Sequence, residues 1–453
     1  MRRFLFCFFF FLSLSVCWDL PKGFCQSNYE KADELRKSGI IEKIKKAADE
    51  LIGLGEKALA DHDTRAAVDY FVKATNVAPY DYRAYYMLVE IFMHQNQYDT
   101  ALKVIERSGG SFTDSNQILK LADELDQSIY KEPEKKDNPL VSIAVFKDNK
   151  RAAVSYNFDD GAKLAYTDIL PMFERFGFKA TIPINPGVVP EKPIADSSWG
   201  SWEEWRDAHN RGFEIANHAF DHIDLTGRSP EDLEKEINRS YDLIQEKIGD
   251  APASFVFPLN KVDGPAFNKA AERHIFIRYH DYLVKIYPMV FVPIFGGPFF
   301  SNEAAEHILQ MAMRRQLWVI AECHSLKTEK IPTYKPMEKE FLENHLKFLS
   351  RNKDKIWVDT TRNIGQYLLQ KKDSRIEWKD LGGHGVEFKL YSALKKSVSS
   401  LTVVIAPSKM KKIKHVHARM LNANKDLRTV LSKDDQIYLD IMPSDETIVV
   451  EWD

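Results

Sequence analysis

A chain of 453 residues is longer than one ordinary hydrophobic core organises and divides into two to four domains. With 44% hydrophobic and 12% aromatic residues its composition is that of a packed protein, which excludes general disorder. Lys and Arg number 63 against 66 Asp and Glu, a net charge of -3, so there is no global electrostatic case for nucleic acid as a partner, and the chain is not polyacidic.

At the N-terminus Arg2 and Arg3 precede the uncharged run Phe4 to Val16, FLFCFFFFLSLSV. A positive segment followed by an apolar stretch too short to span a bilayer comfortably reads as a secretory signal peptide. We assign it to residues 1–25, with cleavage after Cys17 or near Cys25 and Gln26; a lipid-modified Cys17 or a retained membrane anchor is the alternative. No later stretch approaches the roughly 20 apolar residues of a membrane helix, so the rest is expected to be secreted, periplasmic or at the cell surface. Of the four cysteines, Cys7 and Cys17 fall in the signal region, while Cys25 and Cys323 are far apart in sequence. A disulfide framework is therefore not expected, and large cores must hold the protein together.

Residues 30–130 are rich in Ala, Leu, Lys, Glu and Asp, with apolar residues at helical spacing. An offset of about 34 residues aligns Leu54 with Leu88, Ala67 with Ala101 and Phe71 with Ile105, which resembles the tetratricopeptide repeat. Gly55, Ala67, Ala74 and Pro79 stand where such a repeat needs close helix packing or a turn. The second copy is poorer, with Val89 for the glycine and Ser108 for the second alanine. A generic array of helical hairpins is the alternative. The resemblance implies a module that binds a partner protein.

The charged, proline-containing segment 131–139, KEPEKKDNP, reads as a linker. In region 140–372, LVSIAVF and AAVSYNF flank DNKR as the strands of a β-hairpin would. The strand-like runs KATIPI, FEIANH, ASFVF, LWVIAE and IWVDTT then alternate with helical segments, which implies a parallel α/β sheet or barrel with its chemistry at the strand ends. In region 373–453, VEFKLYSA, SLTVVIAP, QIYLDIMP and TIVVEWD suggest a small all-β, sandwich-like domain. The basic run SKMKKIKH, 408–415, reads as a solvated edge or loop, with contact to an anionic polymer as the sharper reading.

Three predicted strand ends carry groups that can bind metal or move protons. Asp159 and Asp160 follow AAVSYNF; His218 and His222 are four apart in NHAFDH, a spacing that on a helical turn would place both on one face; His324 follows LWVIAEC. Each alone is weak, and their joint placement points to one site. Cys323 and His324, adjacent on a strand, point to opposite faces and cannot form a nucleophilic pair, so Cys323 is read as a packing residue. Trp199, Trp202 and Trp205 have a spacing that suits stacking on sugar rings or packing of one helix face.

NFDDG, NHAFDH and the strand before His324 resemble the motifs of the polysaccharide deacetylase family, also called the NodB-homology or carbohydrate esterase 4 family, over roughly 141–369. The connecting WEEWRDAHNRGFEIANH and IWVDTTRNIGQYL are similar to its usual pattern. The resemblance implies a distorted (β/α) barrel in which Asp160, His218 and His222 hold one divalent metal, zinc first, with cobalt, nickel or manganese as alternatives. It further implies that Asp159 is the general base, His324 the general acid and the Leu259 backbone N–H a donor to the oxyanion. The sequence departs from the family pattern in FVFPLNK, 255–261: Pro258 is present, Leu259 replaces a tyrosine, and no arginine precedes it. Arg278, in FIRYH, is the substitute for the arginine that orients the base, and Asp281 is the nearest candidate to pair with His324.

The activity this implies is secreted, metal-dependent removal of N-acetyl groups from an amino-sugar glycan: chitin-like, poly-N-acetylglucosamine or peptidoglycan. O-acetyl glycan esterase activity is one alternative. A non-catalytic glycan-binding or assembly protein using the repeats as a scaffold is the other.

Overall fold

The computed structural model describes residues 40–78, 81–95, 97, 100, 104, 139–279, 289–292, 301–328, 334, 336–394, 396–407, 413–432 and 435–453. The chain divides into two units, 1–108 and 109–453. No helix among the described residues is long and apolar enough to cross a membrane.

In the first unit α1 (Ile40–Ala60) packs on α2 (Thr64–Val77), which packs on α3 (Tyr82–His94). The helices bury Ile52, Ala67, Phe71, Ala74, Leu88 and Ile91 between them. Small residues at the contacts let the helices approach: a Cβ on Gly55 would lie 2.7 Å from the Phe71 ring. Asp63 starts α2 by accepting the Ala66 N–H at 3.0 Å, a cap worth about 1 kcal/mol. Pro79, Ala101, Ile105 and Ser108 of the predicted repeat lie outside the described residues.

The second unit opens with β1 (Val141–Ile143), which was expected to pair with β2 (Ala152–Phe158) as a hairpin and does not. It pairs antiparallel with β12 (Leu401–Ile405), Val141 opposite Ile405. The reason is that β2 has no free edge: β8 (Trp318–Cys323) runs along one side, while β3 (Thr181–Ile184) and β9 (Ile356–Val358) share the other. Between β1 and β2 the chain turns through left-handed Asp148 and Asn149, and the Asp148 N–H donates to Thr402 Oγ1 at 2.9 Å.

The parallel sheet continues through β4 (Glu214–Asn217), β5 (Ser254–Val256), β6 (Phe276–Arg278) and β7 (Met289–Val292), in the order β6-β5-β4-β3-β2-β8-β7 with β9 on β2. Every residue of β2 and β8 is buried, as expected for central parallel strands covered on both faces. This is the curled parallel sheet expected of a distorted barrel. On one side lies a core of Val154, Phe158, Phe173, Ile182, Ile184 and Trp205. The carboxyl ends of β2, β4, β5, β6 and β8 carry the candidate residues.

After helix α4 (Thr361–Lys372) the chain forms β10 (Ser374–Asp380), β11 (Gly385–Ser392), β12, β13 (Val416–Met420), β14 (Lys425–Asp426), β15 (Val430–Leu431), β16 (Ile437–Ile441) and β17 (Ile448–Trp452), which with β1 make two antiparallel sheets ordered β1-β12-β16-β15 and β10-β11-β17-β13-β14. Their core contains Phe388, Leu401, Val403, Ile437 and Val450 and is continuous with Trp318 and Ile320 of the parallel sheet and with Ile364 and Tyr367 of α4. Tyr367 Oη donates to the Ala144 carbonyl at 3.1 Å. Most of the basic run 408–415 lies outside the described residues.

Candidate metal and acid–base site

The two carboxylates of SYNFDDG part because the chain turns sharply after β2. Asp160 has φ 75 and Gly161 φ 66, a left-handed pair in which only the glycine is unstrained. Gly161 is also pressed against β3: a Cβ there would lie 2.9 Å from Ile184. Across this turn Asp160 faces the histidines, and Asp159 faces Arg278.

His218 and His222 do meet, their rings edge to face with centroids 4.9 Å apart, but not on a helical turn as their spacing implied. The loop after β4 folds back through left-handed Ala219 (φ 63) and His222 (φ 52). Polar side chains hold this strained path. Asn185 donates to the carbonyls of His218 and, at 3.2 Å, Ala219. Asn217 accepts from the Ala219 N–H at 3.0 Å and from Ser240 Oγ at 2.7 Å, and Glu236 accepts from the Asp221 N–H at 2.9 Å.

His218 Nδ1 lies 2.8 Å from the Val256 carbonyl. A carbonyl only accepts, so Nδ1 carries the proton and Nε2 presents its lone pair. Asp160 Oδ1 is 3.4 Å from His218 Nε2 and 3.2 Å from His222 Nε2. That oxygen is buried and has no hydrogen-bond partner. A tetrahedral zinc with bonds of about 2.0–2.2 Å spaces its ligands by roughly 3.3–3.6 Å, so the three donors fit a divalent cation. Burial alone would raise the Asp160 pKa, but His218 and His222, when they bear protons toward it, outweigh that and hold the carboxyl well below its usual range. Burial lowers the pKa of His222, and Asp160 raises it by more, so protons and a cation compete for that ring.

Asp159 is 4% exposed and forms an ion pair with Arg278, itself 3% exposed: Nη2 donates to Asp159 Oδ2. Asp159 Oδ1 is buried without a hydrogen-bond partner. Burial pushes the Asp159 pKa up, and Arg278 and His218 offset only part of that. An elevated carboxyl beside a metal-competent cluster suits a proton acceptor. Asp159, Glu322 and His324 present side-chain donors within 4.8 Å of one another. Leu259 lies on the turn after β5 with φ 58, its side chain half exposed.

Cys323 is buried in the core, its thiol pushed well up by burial and then by the neighbouring carboxylates. Trp202 and Trp205 are buried too, Trp205 completely, so neither offers a face to a sugar. Trp199 is half-buried, and Asp281 lies outside the described residues. The sequence reading did not single out Glu322, Asn260, Asn185, Asn217 or Glu236. Only Glu322 left a signal, as a charge inside the otherwise apolar run LWVIAEC.

Residues 146–274 match the family model described as polysaccharide deacetylase, and residues 58–125 match that of the tetratricopeptide repeat. The first segment contains Asp159, Asp160, His218, His222 and Leu259, whereas Arg278 and His324 lie beyond it. The chain is 26% identical over 134 residues to the protein named "Putative polysaccharide deacetylase YxkH" of Bacillus subtilis (strain 168), covering 29% of this chain and 46% of that one. It thus spans about half the length of this curated relative. Among solved structures, a family 4 acetyl xylan esterase from Clostridium thermocellum with a cobalt ion is 20% identical, covering 47% of this chain and 89% of that one, with a TM-score of 0.33. A family 4 carbohydrate esterase from Streptomyces lividans with acetate is 16% identical, covering 46% and 92%, with a TM-score of 0.34. The chain therefore carries a polysaccharide deacetylase domain of the NodB-homology family, preceded by a tetratricopeptide repeat region.

Proposed function

We propose that the protein is a metal-dependent deacetylase that hydrolyses N-acetyl groups of an amino-sugar glycan and is exported by its N-terminal signal segment. The observation that carries this reading is the Asp160–His218–His222 cluster standing beside Asp159, which Arg278 at the end of β6 grips from across the sheet. Asp160, His218 and His222 would hold one divalent cation, zinc first. Such an ion, when bound, supplies the Lewis acidity that acidifies water and polarises a carbonyl.

The chain's own residues then divide the proton work. Asp159, raised by burial and held by Arg278, takes the proton of the attacking water. His324, on the end of β8, gives a proton to the departing amine. The Leu259 N–H, on the turn after β5, would donate to the oxygen on which negative charge develops. The repeat region would dock a partner protein.

The test is acetate release from acetylated chitooligosaccharide, poly-N-acetylglucosamine and peptidoglycan fragments, with acetylated xylan as the ester arm, each with and without chelator. The reading expects chelator-sensitive release from at least one amide substrate. Release from the ester alone would replace amide by ester hydrolysis, and no release from any of them would overturn the catalytic reading.

A further inference from the structure

Asp159, Glu322 and His324 form a second group whose donor atoms lie within 4.8 Å of one another. Two carboxylates and an imidazole resemble a cation site, but a cation is already in place: the guanidinium of Arg278. It donates through Nη2 to Asp159 Oδ2 and through Nη1 to Glu322 Oε2 at 3.3 Å. Asn260 Nδ2 donates to the same Glu322 oxygen at 3.0 Å. Asp159, Glu322 and Arg278 are each under 5% exposed, and buried charges persist only when paired in this way.

The division of the guanidinium matters. An arginine next to a lone carboxylate prefers to engage both oxygens in a two-pronged pair. Here it does not: Asp159 Oδ1 and Arg278 Nε are both buried without a hydrogen bond, and with Nη1 on Glu322 the guanidinium is turned so that only Nη2 meets Asp159. Asn260 in turn holds Glu322 from the turn that carries Leu259. Resting on the deacetylase reading above, we propose that Glu322 is a positioning residue: by holding Nη1 it sets the tilt of the Arg278 guanidinium so that only Nη2 meets Asp159, leaving one Asp159 oxygen open to accept a proton, and it ties the 258–260 turn to the strand that His324 follows. Glu322 acts through Arg278 and Asn260 and need not touch substrate. Without it, the guanidinium closes on both Asp159 oxygens and the base is blocked.

The test compares Glu322→Ala and the isosteric Glu322→Gln with the wild type, after matching their melting temperature and metal content. For Glu322→Ala kcat should fall at least about tenfold with KM within about twofold, a loss confined to the chemical step. Glu322→Gln, whose amide oxygen still accepts from Arg278 and Asn260, should recover most of it. Crystal structures supply a readout independent of turnover: in Glu322→Ala, Arg278 should contact both Asp159 oxygens. Unchanged kcat in both variants, or an Arg278 that keeps its single contact to Asp159 in Glu322→Ala, would overturn the proposal. Absence of activity in the wild type would sink the deacetylase reading instead, and the crystal structures would still decide the placement of Arg278.

Discussion

Asp159 and Asp160 are chemically identical neighbours whose surroundings pull them apart. Asp160 is held ionised by two imidazoles, whereas burial raises Asp159 and Arg278 only partly offsets it. The two asparagine substitutions should therefore fail differently. Asp160→Asn removes a charged ligand from the cluster, so bound metal should drop below one ion per chain, and acetate release should fall with it. Asp159→Asn should keep the metal but lose about 10²–10⁴-fold in kcat, the usual contribution of a positioned proton acceptor. Metal analysis of the two purified variants beside their turnover checks this; equal metal content in both would contradict the division of labour. Arg278 was legible only as a strand-end cation in FIRYH. Its partner Asp159 is 119 residues away in sequence, and no local spacing encodes such a pairing.

At the scale of elements, the strands and their order of chemistry were readable because parallel strands buried on both faces leave largely apolar runs such as AAVSYNF and LWVIAEC. The turns that follow them were not. A four-residue spacing suggested a helical face for His218 and His222, but their loop bends through positive φ at Ala219 and His222, held by asparagines that look unremarkable in sequence. The hairpin expected between β1 and β2 failed for a tertiary reason, since β2 spends both edges on β3, β8 and β9. Of the three tryptophans at a spacing of three, Trp202 and Trp205 are core, Gly200 leaving room for the Trp205 ring, and Trp199 is half-buried. The turn after β2 gives a direct check. Gly161→Ala forces a side chain into a left-handed position and against Ile184, which should cost about 1–3 kcal/mol of stability and displace Asp160. Thermal melting with metal analysis reads both effects, and an unchanged melting temperature would contradict this account of the turn.

Across the second unit, titratable groups buried in the cores on either side of the parallel sheet bear on its stability. His345, on the helix Lys339–Arg351, is fully buried, 2.5 Å from Tyr156 Oη, and burial depresses its pKa from 6.5 to about 3. His274 is depressed to about 4 by burial. Folded, both rings stay neutral at pH 5; unfolded, both take up protons below their ordinary value of 6.5. The unfolded state therefore binds more protons as pH falls below 6.5, and stability must decline from there toward the folded values. The contribution of these two rings is fully present above about pH 7 and is lost toward pH 5, so between pH 7 and pH 5 the wild-type melting temperature should drop relative to that of His345→Gln, which does not titrate. An equal slope in His345→Gln would show that the ring does not carry this dependence.

Under the proposed function Asp160, His218 and His222 hold the ion on which deacetylation depends. The most direct measurement is acetate release from N-acetylglucosamine oligomers by chelator-treated protein titrated with zinc. Release should rise and saturate near one ion per chain for the wild type and stay flat for Asp160→Asn. A wild type that stays flat, or an Asp160→Asn variant that rises equally, would contradict it.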